Sequence, residues 1–362
     1  MILKSLQVIG GIFLSLIMIN TALVSFGMSG KVFHAPFIAS NPNFKLVGSW
    51  ERSSKNIEAA YPGTKSYSSY EEILADASID LVVVNSPNDT HYAYTKQALL
   101  AGKHVVCEKA FTITAAEAQE LDDIANQKGL KLAVYHNRRY DADFLTIQQL
   151  IKEDAIGDFL DVQISFERYR TTLSPKKHKE SVTPGAGLLY DLGPHLVDQA
   201  ILLSGMPLAV FADIRITRKV GIVDDYFHMI LYYPGHRITL TSGMVFMTQL
   251  AGYKIYGTKG SFIKNRSDVQ EADLIAGKKP GSENWGIEAK EDYGTLYTDN
   301  DGLISHRTIP SKAGNYGIFY DKMADAILNN APVPTSAQEG KNIIRILEAA
   351  RNSAFNKRVV GV

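Results

Sequence analysis

The chain has 362 residues, of which 45% are hydrophobic and 21% charged, enough apolar material for two globular domains of about 100–200 residues each. Its 38 Lys and Arg balance its 38 Asp and Glu, which argues against nucleic acid as the main partner, because phosphate binding leaves a basic excess. A single cysteine, Cys107, excludes an intrachain disulfide and every cysteine-based zinc framework, so no metal site is expected and a reducing, cytoplasmic compartment fits.

The run from Leu6 to Val24 carries no charge, and its 19 residues are just enough for a membrane span of about 20. Three readings compete for it: a false start with translation beginning at Met18, a membrane anchor or signal peptide, and ordinary packed structure. The start at Met18 is favoured, which leaves residues 1–17 as an uncertain leader and a membrane as an unexpected partner. From Ile19 onward short β-rich runs alternate with helical ones, the pattern of a parallel sheet covered by helices. "INTALVS", "FKLVGSWE", "IDLVVVNS", "HVVCE" and "KLAVYHN" read as strands. "GKVFHAPFIAS", "SSYEEILAD", "HYAYTKQALLAGK" and "TAAEAQELDDIANQKG" read as the helices between them. Past Arg138 the texture changes. "DFLTIQQLIKEDAIG" is helical, and "FLDVQISFERYR", "AVFADIRITRKV", "YFHMILYYP", "RITLTSGMVF" and "YKIYGTKGSFIK" are longer alternating strands that suggest a mostly antiparallel sheet. The helix "SAQEGKNIIRILEAARNSAF" closes the chain. The division is therefore 18–138 and 139–362.

The turn after the first strand, "SFGMSG", matches two of the three glycines of the dinucleotide fingerprint: Gly27 and Gly30 are present, and Ser25 replaces the first. Phe26, Gly27, Met28 and Gly30 are thus candidate cofactor contacts, with the following helix offering free N–H groups to phosphate. Glu51 lies 21 residues after Gly30, near the offset at which an acidic side chain holds a ribose 2′-hydroxyl. Arg52 and Ser53 follow directly and suit a 2′-phosphate instead, so these residues leave NAD against NADP open. Ser86, Asn88 and His91, after the third strand, stand where open α/β sheets bind ligands, although such residues also make turns and caps. Glu108 and Lys109 end a buried strand at the same edge, where a lysine with a lowered pKa can polarise a carbonyl or hydroxyl. Asp191 and His195 are four apart in "GLLYDLGPHLVDQAI", so on one helix they share a face and can share proton transfer from an alcohol.

In order, "FGMSGKVFHAP", "NSPNDTHY", "AGKHVVCEKA", "YHNRRYDADFLTI" and "GLLYDLGPHLVDQAI" resemble the Gfo/Idh/MocA family of nicotinamide-dependent sugar and polyol oxidoreductases, from about Met18 to the C-terminus. "YHNRRYDADF", "FERYR" and "DDYFH" are most similar to the branch containing NADP-dependent scyllo-inositol dehydrogenases. The resemblance implies a Rossmann NAD(P)-binding domain followed by an α/β domain with a large open sheet, often an oligomer contact, so a homo-oligomer such as a dimer is expected. It implies NAD(P)(H) as cofactor, with NADP preferred, and a polyol or sugar as substrate. It makes Lys109, Asp191 and His195 the catalytic group, and it suggests Arg139, Arg168 and Tyr169 as residues shaping the sugar site. Ala110 departs from the family's Lys-Pro pattern. That departure supports an alternative in which the same fold is a catalytically weakened NAD(P)-binding sensor.

Overall fold

The computed structural model describes residues 6–9, 12–15, 18–51, 54–175, 179–248 and 250–362. β1 (Leu6–Ile9) and β2 (Ile12–Ser15) pair as a separate antiparallel ribbon, and β3 (Ile19–Leu23) opens the first large sheet. The apolar stretch from Leu6 is therefore divided among strands, and no helix among the described residues is long and apolar enough to cross a membrane. The remaining residues of 1–17, on which the leader readings turn, lie outside the described residues.

The first sheet is all parallel. Its order is β5-β4-β3-β6-β7-β8, with β4 at Phe44–Trp50, β5 at Lys65–Tyr67, β6 at Leu81–Val84, β7 at His104–Glu108 and β8 at Leu132–Tyr135. Every side chain of β6 (LVVV) is buried, because helices cover both faces. α1 (Ala35–Ser40), α2 (Asn56–Ala60), α3 (Tyr70–Ala75), α4 (Asn88–Leu100) and α5 (Ala115–Lys128) supply the cover. Ser69 caps α3, and Thr114 with Glu117 forms a capping box on α5, whose end is closed by Gly129 at φ +65°. The strand order reverses between β3 and β6, which opens a crevice at the strands' C-terminal ends. The short α2 and β5 were not among the elements expected from the sequence.

α6 (Ala142–Lys152), α7 (Leu188–Asp191) and α8 (Gly193–Ser204) belong to the second unit. Its nine-stranded sheet runs β16-β15-β14-β13-β9-β12-β11-β10-β17, antiparallel except for the β9–β12 pair. The strands are β9 (Phe159–Glu167), β10 (Ala209–Arg215), β11 (Tyr226–Tyr232), β12 (Arg237–Gly243), β13 (Tyr253–Gly257), β14 (Gly260–Lys264), β15 (Gly294–Asn300), β16 (Leu303–Ile309) and β17 (Val360–Gly361). Buried and half-buried residues alternate along β11, as in a sheet with one helix-covered face. β16 and the second half of β15 carry mostly exposed residues and so lack the sustained apolar alternation by which the other strands announce themselves.

After α9 (Gln270–Ile275), two C-terminal helices tie the units together. α10 (Gly317–Asn329) returns to the first unit, where Phe319, Tyr320 and Met323 join Ile19, Leu23, Phe37 and Tyr135 in one apolar core. α11 (Ala337–Asn356), capped by the Ser336–Glu339 box, packs against α5 on one side and α8 and β10 on the other. The first core is thus completed by residues nearly two hundred positions beyond Arg138.

Candidate active site

The fingerprint turn is clamped to the end of β6. The Ser25 amide donates to Asn85 Oδ1 at 2.9 Å, and Asn85 Nδ2 donates back to the Ser25 carbonyl at 2.7 Å. Gly30 lies against that carbonyl so closely that a Cβ there would come within 2.3 Å of the oxygen. Gly27, Met28 and Ser29 line a cavity of about 780 Å³ at the crevice. A turn with an exposed glycine, set at the strand-order reversal, fits a dinucleotide pyrophosphate. Phe26 points the other way: it is buried, with its ring edge-on to Tyr61 at 6.1 Å.

The other expected cofactor residues separate. Ser86 and Asn88 line the cavity, Ser86 Oγ accepting from Thr90 Oγ1 at 2.6 Å and Asn88 donating to the Gly185 carbonyl at 2.8 Å. His91 is buried behind them, its ring nitrogens 2.7 Å from the Ala110 carbonyl and 2.9 Å from the Ser86 carbonyl, so it props the cavity wall instead of forming it. Glu51 accepts from the Asn56 and Ile57 amides at 3.2 and 2.9 Å and from the Ser54 and Ser66 hydroxyls at 2.9 and 3.2 Å. Burial opposes its charge, but these donors outweigh it and lower its pKa. Its carboxylate is engaged as the cap of α2. Arg52 and Ser53 lie outside the described residues.

Glu108 joins the strand end to the fingerprint helix. It accepts from Ser29 Oγ at 2.6 Å, from the Lys109 amide at 3.1 Å and lies 3.0 Å from His34 Nε2, while His34 Nδ1 meets the Tyr320 hydroxyl of α10 at 2.7 Å. Burial works to raise its pKa, yet His34, Ser29 and Lys109 pull it down to about 2. The partners Ser29 and His34 were missed by the sequence reading; Ser29 lies within the fingerprint itself and His34 four residues after Gly30, where a polar side chain one turn into the helix was the available signal.

Lys109 and Asp191 meet across the cavity. Lys109 Nζ donates to the Asp191 carbonyl at 2.5 Å and to Oδ1 at 3.2 Å. Lys179, absent from the expected set, donates to the same Oδ1 at 2.6 Å. Burial and the charge of Lys179 lower the Lys109 pKa against the pull of Asp191. Burial opposes the Asp191 charge, but Lys109, Lys179 and Arg168 hold its carboxyl well below the usual carboxylate range. His195 lines the cavity too, with Nδ1 buried and, among the described residues, without a hydrogen-bond partner. Burial first, then Lys109, Arg138, His136 and Arg266, push its pKa well below the usual imidazole value. It is therefore neutral at ordinary pH, its protonated form disfavoured by burial and by the cations around it. Asp191 and His195 do not share one helix as expected: α7 ends at Asp191 and α8 begins at Gly193, with Pro194 in its first turn. A proline there has no N–H to continue the previous ladder, so it starts a new helix.

Of the three residues expected in the sugar site, only Arg168 lines the cavity. Arg139 is buried in a structural cluster, bonded to Asp198 through Nε at 2.9 and 3.1 Å and to Glu339 at 2.8 Å, and ties its own turn to α8 and α11. Tyr169 is exposed and forms an isolated bridge with Val245. The Lys109–Ala110 peptide is cis.

The family models for the NAD-binding Rossmann fold and the C-terminal alpha/beta domain of the Gfo/Idh/MocA oxidoreductases match residues 19–136 and 148–362. The chain belongs to the Gfo/Idh/MocA family of oxidoreductases. It is 39% identical over 94% of its length to the NADP(+) scyllo-inositol 2-dehydrogenase IolW of Bacillus subtilis, covering 95% of that protein. Among solved structures, the oxidoreductase YvaA of Bacillus subtilis superposes with a TM-score of 0.93 at 38% identity, covering 96% of this chain and 99% of that one. An oxidoreductase from Bacteroides fragilis gives 0.87 at 43% identity, covering 95% of this chain and 100% of that one. A member of this family with this fingerprint turn is an oxidoreductase with a nicotinamide cofactor.

Proposed function

We propose that the protein is an NADP-dependent dehydrogenase acting on a CH–OH group of an inositol-like polyol or a sugar. The observation that carries this is the convergence of Lys109, Asp191 and His195 on the cavity that the fingerprint turn also lines. The bound nicotinamide supplies the hydride acceptor. Asp191 holds the Lys109 ammonium, which polarises the substrate oxygen, and neutral His195 takes the hydroxyl proton. The Asp191 carboxylate offsets the charge of Lys109 and Lys179 and fixes the direction of both ammonium groups. NADP is favoured because Glu51, the residue that would hold a ribose 2′-hydroxyl, is committed to capping α2 and is followed by Arg52. The NADP(+) enzyme from Bacillus subtilis points the same way. The polyol follows from the same relative, and we further propose a cytoplasmic homo-oligomer such as a dimer, with neither nucleic acid nor membrane as partner.

The test is reduced-nicotinamide absorbance with NAD⁺ and NADP⁺ against a panel of inositols and aldoses, beside Lys109→Ala. Turnover with NADP⁺ that disappears in the variant is the expected result. Tight cofactor binding with no turnover across the panel would replace this reading by the sensor.

A further inference from the structure

The substrate side of the cavity is more positive than a neutral ring requires. One carboxylate, Asp191, is flanked by Lys109 at 3.2 Å, by Lys179 at 2.6 Å and by the charge of Arg168. Among the described residues the Arg168 guanidinium has no hydrogen-bonding or ion-pair partner; it rests on the Phe166 ring at 4.9 Å. Arg138 and Arg266 lie against the same ring at 5.0 and 4.9 Å, so three guanidinium groups converge on one phenyl. Arg138 is paired with Asp141 and Glu271. Among the described residues Arg266 donates to neutral acceptors, the Ser165 carbonyl at 2.7 Å and Gln199 Oε1 at 2.8 Å. Arg138 Nε and Arg266 Nη1 are buried without hydrogen-bond partners among the described residues.

Five cations (Lys109, Lys179, Arg138, Arg168 and Arg266) thus share three carboxylates around Asp191 and His195. Elsewhere the cavity wall carries both signs: Arg218 lies between Glu180 and Asp225, Glu108 is held by His34, and Arg170 and Asp224 also line it. The surplus is local. Like charges gathered at a half-buried site repel, and an anion placed among them removes that repulsion while gaining charge-assisted hydrogen bonds.

We propose that the substrate carries an anionic group, a carboxylate or a phosphate monoester, which Arg168 receives beside the reacting hydroxyl. This rests on the dehydrogenase reading. The anion takes no part in bond changes: the C–H electron pair goes to nicotinamide, the O–H proton to His195, and a C=O forms. The alternative use of the same cations, stabilising the developing alkoxide, acts on every substrate alike and is separated by the test.

The experiment compares kcat/KM for a hexuronate, a hexose 6-phosphate and an inositol monophosphate with their neutral parents, in wild type, Arg168→Gln and Arg168→Lys. The expected result is an acid-over-neutral preference that falls about 10- to 100-fold in Arg168→Gln and partly returns in Arg168→Lys. The larger preference, for carboxylate or for phosphate, names the source. An acid-over-neutral ratio near one, or an equal loss on both kinds of substrate in Arg168→Gln, overturns the proposal and leaves the dehydrogenase standing. Thermal melting with NADP⁺ present covers the case of no turnover. Stabilisation by the acids that needs Arg168 then keeps the anion site and removes the dehydrogenase reading, and its absence removes both.

Discussion

Gly30→Ala tests the cofactor turn directly. The new methyl carbon would lie 2.3 Å from the Ser25 carbonyl oxygen and 3.1 Å from Asn85 Nδ2. A backbone oxygen cannot yield that much in place, so Ser25 must move and strain its two hydrogen bonds to Asn85 at 2.9 and 2.7 Å. At about 0.5–1.5 kcal/mol each, their loss costs about 1–3 kcal/mol, the range usual for one methyl too many in a packed site. If that energy is recovered only by distorting the turn, dinucleotide affinity falls by about 5- to 150-fold, at about 1.4 kcal/mol per factor of ten. Fluorescence titration with NADPH measures this, and thermal melting reports that the variant is folded. Asn85→Ala releases the clamp without the overlap and should weaken binding less. Unchanged NADPH affinity in folded Gly30→Ala would refute the assignment of this turn to the cofactor.

Lys109→Met should lower kcat by about 10²- to 10⁴-fold while NADPH still binds, as stopped-flow turnover and titration would show. For polyol oxidation, neutral His195 should leave no acid limb above pH 6.5, whereas kcat/KM should fall on the alkaline side below 10.5 as Lys109 loses its proton earlier than an exposed lysine would; a pH–rate profile reads both. Glu108, lowered from 4.5 to about 2, contributes about 3 kcal/mol at about 1.4 kcal/mol per pH unit. Because its folded pKa is depressed, that stability is present above pH 4.5 and is lost as pH falls towards 2, so urea melts of wild type and Glu108→Gln should converge on acidification. Arg139→Met breaks a buried pair with Asp198, which costs about 3–5 kcal/mol; the melting temperature should drop while KM for the polyol stays unchanged.

Local chemistry was legible in the chain. β6 announces itself as a fully apolar run, Ser69, Thr114–Glu117 and Ser336–Glu339 mark helix starts, and the Gly27–Gly30 turn follows a strand, because period and capping involve neighbours in sequence. Lys109, Asp191 and His195 could be picked out by residue type and family pattern, and the tertiary structure then brought them to one cavity. The break between Asp191 and His195 was written in Pro194 and was passed over in favour of i, i+4 spacing. What only the tertiary structure decided is which charge meets which. Arg139 finds Asp198 59 positions away, Glu51 turns to cap α2, Lys179 joins Asp191 from a loop, and α10 returns to close a core begun at Ile19. An arginine, a glutamate or a lysine has the same chemistry in the sequence whether it faces a ligand or a partner. Its role is set by the electrostatic and packing environment that distant elements bring to it.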